Sequence, residues 1–320
     1  WNAVSGAAAY QLFEDLNGTG TFLQVGLNIP ALNTAMQIAV HNYNWLGAQY
    51  KVKACNTLAA CSLDSATLNT AGKSVDATGY VKASNIEAND QFGYAVAVSG
   101  DGLTMAIGAP NESSASPTDQ TNNTAGSAGA VYLFKKDSNE NWSQEAYIKA
   151  PLPGVADTFG ISVSLSDDGN LLAVGAPQES SNAVNTIIAN PNGRSPEEQN
   201  NGASFSGAAY LFTRSGTVWT ATAYIKASNA QSTDRFGTAV ALSGDGLYLA
   251  VSATGEASNA TNTIIPNPNN SSPEENNNAS PNSGAVYLFA FDSINNLWTR
   301  QAYIKMIVIG AENTQTNDSF

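Results

Sequence analysis

The chain has 320 residues, 13 basic against 26 acidic side chains, a formal net charge of −13 and only 12% charged residues. Soluble domains usually carry roughly 25% charged residues; here Asn, Ser, Thr, Ala and Gly supply solubility, and 42% hydrophobic residues suffice for a packed core. So acidic a surface repels phosphate backbones and anionic lipid, which excludes nucleic-acid and membrane-surface roles, and the longest late apolar run, residues 306–309, is too short to cross a bilayer.

The chain opens at Trp1, without Met or a charged-then-apolar leader, and reads as a processed product or a fragment. Residues 1–65 alternate in Ala9-Tyr10-Gln11-Leu12-Phe13 and again from Ala48 to Ala54, with turn chemistry at Asn17-Gly18. That pattern predicts antiparallel β-structure with one buried face. Cys55 and Cys61 are the only cysteines. Their spacing beside a strand, in a chain of extracytoplasmic character, predicts a local disulfide, with two buried thiols as the alternative. A zinc site would need two more ligands, and His41 is the only histidine. Trp1, Gly6-Ala7, Tyr10 and the Tyr50–Cys55 run resemble the B, C and F strands of a fibronectin type III-like sandwich. Two features depart from it: no A strand precedes Trp1, and Tyr43-Asn44-Trp45 stands where such domains carry a plain turn. Residues 66–79 are small and polar, as expected of a last strand running into a linker.

From residue 80 a block is written three times, over about 92–150, 159–227 and 236–306. Each copy begins with Phe-Gly (Phe92, Phe159, Phe236) and ends with Tyr-Ile-Lys (Tyr147, Tyr224, Tyr303). In copy two, four strands are predicted at 161–165, 171–174, 207–212 and 220–226. The first pair is joined by Ser166-Asp167-Asp168-Gly169, with Ser99-Gly100-Asp101-Gly102 and Ser243-Gly244-Asp245-Gly246 in the other copies. Repetition of four antiparallel strands predicts an all-β chain of β-propeller blades. The repeated Trp142, Trp219 and Trp298 and the three tyrosines are expected to pack between blades; the alternative is a sugar-stacking set. Residues 80–84 match the closing strand of a repeat, and Phe320 opens a further copy. Three blades do not close a ring of about four to eight. The expectation is therefore an incomplete propeller, with Tyr80 to Ala83 as the outer strand of a blade whose other strands come from elsewhere.

Between strands two and three lie long inserts. Copy two carries Asn185-Thr186-Ile187-Ile188 and then Ser195-Pro196-Glu197-Glu198; copy three carries Asn262-Thr263-Ile264-Ile265 and then Ser272-Pro273-Glu274-Glu275. A disordered loop would not need to repeat Ile-Ile and Pro-Glu-Glu at matching places. The inserts are read as ordered excursions on one face, with Asn185, Glu197, Glu198, Asn262, Glu274 and Glu275 as binding-surface candidates.

Phe-Gly followed by Gly108-Ala109-Pro110, Gly175-Ala176-Pro177 and, degenerately, Ser252-Ala253-Thr254 resembles the FG-GAP repeats of integrin α-subunit propellers and their bacterial relatives, over residues 80–320. The resemblance implies a ring of about seven blades and calcium-holding hairpins. Their first ligand position falls on Ala97, Ser164 and Ala241, and the last on Thr104, Leu171 and Tyr248. Only Asp101, Asp168 and Asp245 keep a carboxylate. Calcium takes six to eight oxygens, so these turns are expected to hold no metal, or to hold it very weakly, and no cofactor is expected.

One histidine, outside the repeats, removes nearly every Ser-His or Cys-His arrangement, and adjacent glutamates seldom span a scissile bond. The reading is a non-enzymatic, secreted or cell-surface interaction protein mediating adhesion or assembly. Its expected partners are a protein or glycan at a cell surface or in matrix, or copies of itself. Alternatives are a carbohydrate-binding propeller attached to a polysaccharide-active protein, and a structural surface or filament subunit.

Overall fold

In a computed structural model the chain is all β apart from two single helical turns. The structure describes residues 2–16, 19–33, 48–57, 60–69, 81–138, 141–261, 263–269 and 272–305, in two units, Trp1–Tyr80 and Val81–Phe320.

In the first unit, β1 (Ala9–Asp15) is flanked on one side by β2 (Leu23–Gln24) and β3 (Ile29–Pro30) and on the other by β4 (Gln49–Cys55), with β5 (Leu68–Asn69) outermost. Alternation puts Tyr10, Leu12 and Tyr50 into a small core with Ile29 and Ala48, and the Val4 N–H donates to the Tyr10 hydroxyl at 2.7 Å. Cys55 and Cys61 are disulfide-bonded, as their spacing suggests. The described residues form one sheet, so they do not show the second layer of a fibronectin-like sandwich. Trp1, Asn17-Gly18, His41 and residues 43–45 lie outside the described residues.

The second unit contains three successive antiparallel sheets. Blade 1 comprises β6 (Val96–Val98), β7 (Thr104–Ala109), β8 (Ala130–Lys136) and β9 (Trp142–Ile148). Blade 2 comprises β10 (Ser162–Leu165), β11 (Leu171–Ala176), β12 (Ile187–Ala189), β13 (Ala208–Ser215) and β14 (Val218–Ile225), with α1 (Pro196–Gln199) in its insert. Blade 3 repeats this with β15 (Phe236–Leu242), β16 (Tyr248–Ala253), β17 (Ile264–Pro266), α2 (Pro273–Asn276), β18 (Ala285–Asp292) and β19 (Leu297–Ile304). Blades 2 and 3 therefore have five strands, not the four expected. The Ile-Ile of each insert pairs with the end of the fourth strand, Ile187 opposite Ile225 and Ile264 opposite Ile304, and covers an edge that would otherwise be open to pairing. Each third strand shifts register at the same place, Leu133/Phe134, Leu211/Phe212 and Leu288/Phe289.

The apolar faces meet between blades. Leu133 and Ile148 pack with Phe159, Leu172 and Tyr210 in one core, and Leu211 and Ile225 with Phe236, Val251 and Tyr303 in the next. Each Phe-Gly phenylalanine stands edge-on to its own blade's tyrosine, Phe159 to Tyr210 at 5.4 Å and Phe236 to Tyr287 at 5.3 Å. Trp219 packs against the first core and Trp298 lies within the second.

The two glycine motifs form one contact. Gly160 and Gly237 take φ of +91° and +95°, which glycine alone adopts without strain. A Cβ on Gly108 would stand 2.0 Å from the Gly160 carbonyl oxygen, and one on Gly175 1.9 Å from that of Gly237. Backbone therefore packs on backbone, and the Phe159 and Phe236 N–H groups donate to Ala128 and Ser206 of the preceding blade, each at 3.0 Å.

Residues 81–83 are not a strand. Val81 and Ala83 pack on the blade 1 core instead, and Tyr132 donates to the Asn85 side chain, as Tyr287 does to Asn229. The described part of this segment thus serves blade 1 as a lead-in, whereas a paired outer strand was expected. Tyr80 and Phe320 lie outside the described residues.

Candidate functional site

The inserts of blades 2 and 3 share one end of the sheets with the linkers that lead from each blade to the next. Their order comes from matched polar contacts. Ser181 and Ser258 donate through Oγ to the carbonyls of Glu197 and Glu274, at 2.6 and 2.5 Å. The Asn182 and Asn259 N–H groups donate to Asn200 and Asn277 Oδ1, at 2.7 and 2.9 Å. Ser195 and Ser272 cap α1 and α2, accepting from the N–H of Glu198 and Glu275 at 3.1 Å in both.

That framework divides the sequence candidates. Glu197 and Glu274 are exposed, and Asn185 is exposed with φ +54°. Glu198 and Glu275, read as surface, are buried instead. Glu198 closes the capping box, accepting from the Gly193 and Ser195 N–H groups at 2.9 and 3.3 Å. Glu275 accepts from Ser228 Oγ at 2.6 Å, tying the insert of blade 3 to the linker before it. Both carboxylates hold the inserts in shape and lie beneath their exposed surface. Asn262 lies outside the described residues.

Beneath the inserts runs a series of buried charges. Lys149 Nζ reaches Glu112, Lys226 reaches Glu179 and Lys305 reaches Glu256, each at 2.7 Å and with no lysine exposed. Ser206 and Ser283 add acceptors to Lys226 and Lys305 at 2.8 and 2.7 Å. Burial pulls all three ammonium groups down, and the paired glutamates oppose it. Asp157 and Asp234, each two residues before a Phe-Gly, sit beside the pairs and accept from the Gly154 and Gln231 N–H groups at 2.8 Å. Burial pushes both carboxyls up to about 7; Glu179 adds to the shift at Asp157, and Glu256 adds to it at Asp234. Lysine and aspartate here are structural ties between linker and sheet. The lysines are the last residues of the repeated Tyr-Ile-Lys segments; their glutamate partners and the aspartates beside them were not among the sequence candidates.

At the opposite end, the Ser-x-Asp-Gly turns use their carboxylates internally. Asp101, Asp168 and Asp245 accept through Oδ1 from Ser99, Ser166 and Ser243 at 2.5, 2.6 and 2.5 Å. They also accept from the N–H of Leu103, Asn170 and Leu247 at 2.9, 3.0 and 2.9 Å. The Ser hydroxyl lowers the carboxyl pKa at Asp168 and Asp245. These groups close turns, and among the described residues no cluster of three or more His, Cys, Asp or Glu is arranged to hold a metal ion.

Residues 78–134 and 219–263 match the FG-GAP repeat family, and with the antiparallel sheets this makes the second unit FG-GAP β-propeller-like. No curated protein matches the sequence. Among solved structures the chain is similar to Saccharomyces cerevisiae Sqt1, at 9% identity and a TM-score of 0.35 over 72% of this chain and 38% of that one. It is also similar to a Lactobacillus plantarum protein, at 14% and 0.35 over 83% and 51%, and to the Pseudomonas aeruginosa periplasmic gluconolactonase PpgL, at 12% and 0.21 over 95% and 84%. The chain spans 38% and 51% of the first two proteins. Likeness at that level transfers no substrate, partner or activity to it. No helix of the described residues is long and apolar enough to cross a membrane.

Proposed function

We propose that the chain is a non-enzymatic interaction module, secreted or displayed at a cell surface, that mediates adhesion or assembly through the insert end of blades 2 and 3. The observation that carries this reading is the duplicated order of the inserts. Fixing a long polar loop costs about 1–2 kcal/mol of backbone entropy per residue, and here that cost is met twice by the same serine and asparagine contacts. The result presents Glu197 and Glu274 at equivalent positions of two adjacent blades. Two equivalent acidic elements on one surface suit a repetitive partner, either a matrix polymer or further copies of the chain.

Beads coated with the chain should adhere to matrix-coated surfaces or to one another. A Glu197→Lys/Glu274→Lys variant of unchanged thermal stability should abolish that adhesion. Adhesion that persists unaltered in the double variant would overturn the assignment.

A further inference from the structure

A cleft of about 460 Å³ opens between blades 2 and 3, running from the hairpin turns up the outer edge to Asn190, just after the insert strand β12 of blade 2. Its origin is a two-residue difference between the two blade interfaces. Between blades 1 and 2, Glu145 of β9 reaches across to Arg214 and accepts from Trp219 Nε1 at 3.1 Å, so a carboxylate fills the space. Repeat alignment puts Thr222 where Glu145 stands, Phe291 where Arg214 stands and Trp298 where Trp219 stands. Between blades 2 and 3 the ionic clamp is therefore gone. Thr222, Phe291 and Trp298 line open space, the two rings 5.5 Å apart and tilted by 51°.

The remaining wall mixes polar side chains with Leu171 and Leu247. Asn190 and Asn296 both line the cleft from left-handed turn positions, φ +52° and +54°, and both are exposed. Asp168 Oδ1 and Asp245 Oδ1 already close their own turns. The volume lies within the roughly 300–1,000 Å³ of small-molecule sites.

We infer that this cleft is a saccharide-binding site that takes a short neutral oligosaccharide. Aromatic faces accept the C–H face of a sugar ring, planar amides pair with vicinal hydroxyls, and the net charge of −13 disfavours a polyanion. Glu197 and Glu274 do not line this cleft, so the two assignments stand or fall independently.

The test titrates the full chain with neutral gluco-, manno-, galacto- and N-acetylglucosamine oligomers, by saturation-transfer NMR and calorimetry, with a sulfated polysaccharide as the charged control. At least one neutral oligomer should bind. Asn190→Ala/Asn296→Ala, both exposed positions, should weaken it by about tenfold, the loss of one or two hydrogen bonds. Thr222→Glu, which restores the carboxylate of the blade 1–2 interface, should abolish it. Glu197→Lys/Glu274→Lys should leave it intact. No neutral oligomer binding at millimolar concentration, binding of the sulfated polymer alone, or affinity unchanged in the asparagine variant when thermal unfolding shows it folded, would each overturn the inference.

Discussion

Replacing Lys226 by methionine should destabilise the second unit by about 3–5 kcal/mol, the usual effect of removing one partner of a buried ion pair. The size follows from the geometry. Lys226 Nζ meets Glu179 Oε2 at 2.7 Å with neither side chain more than 6% exposed, and Ser206 Oγ lies 2.8 Å away. Methionine fills the volume but leaves the Glu179 carboxylate buried, with the Ser181 N–H donating to its Oε1 at 3.0 Å. The same argument predicts that Lys226→Met/Glu179→Leu recovers much of the loss, because no uncompensated charge remains. Urea unfolding of the full chain, followed by tryptophan fluorescence and checked for a constant m-value, measures both variants against the unsubstituted chain. Blades can unfold separately, so hydrogen exchange at the Lys226 amide locates the effect. A loss under about 1 kcal/mol in the single variant, or a double variant no better than the single, would refute the reasoning.

Asp157→Asn should flatten the pH dependence of stability. The folded carboxyl sits at about 7, above its ordinary 3.8, so its contribution is full below about pH 4 and is lost as pH rises through 7; thermal unfolding from pH 4 to 8 that keeps its slope in the variant would refute this. Gly175→Ala forces a Cβ to within 1.9 Å of the Gly237 carbonyl and should destabilise the blade 2–3 contact by several kcal/mol, well beyond the roughly 1 kcal/mol gained from glycine's lost freedom, as read by urea midpoint. Reducing Cys55–Cys61, separated by six positions, should destabilise the first unit by about 2 kcal/mol, seen as a lower melting transition with reductant, while the propeller transition stays in place.

Much of the fold could be read from the repeats, for a physical reason. Strands predicted at 161–165, 171–174, 207–212 and 220–226 appear as Ser162–Leu165, Leu171–Ala176, Ala208–Ser215 and Val218–Ile225, because hairpin turns and one buried face set the register. The fifth strands escaped notice: Ile187-Ile188 is a two-residue apolar run among asparagines, and only pairing with Ile225 and Tyr224 makes it a strand. Burial of Glu198 was partly visible, since Ser195-Pro196-Glu197-Glu198 has the spacing of a capping box. The Lys226–Glu179 pair joins residues 47 positions apart, beyond any local pattern. The cleft was further out of reach, for it depends on which residue of one repeat faces which residue of the next.

That dependence shows where the copies were free to diverge. Within a blade the same tasks recur, so Phe159, Tyr210 and Tyr224 repeat as Phe236, Tyr287 and Tyr303. The faces that differ are those between blades. Glu145 becomes Thr222 and the clamp becomes a cleft. Ser252 replaces the glycine of Gly108 and Gly175, yet the turn after it survives, with the Glu256 N–H donating to Ala253 at 3.3 Å as Glu179 does to Ala176 at 3.2 Å. What changes is the contact surface. Ser252 Oγ accepts from the Ala239 N–H at 2.9 Å, and β15 starts at Phe236, paired with Ala253, before its register shifts. Gly108 and Gly175 are glycine because a neighbouring carbonyl lies where their Cβ would be. At Ser252 that space holds a side chain that serves its own blade, and a glycine carbonyl seated there as Gly160 is seated on Gly108 would collide with it.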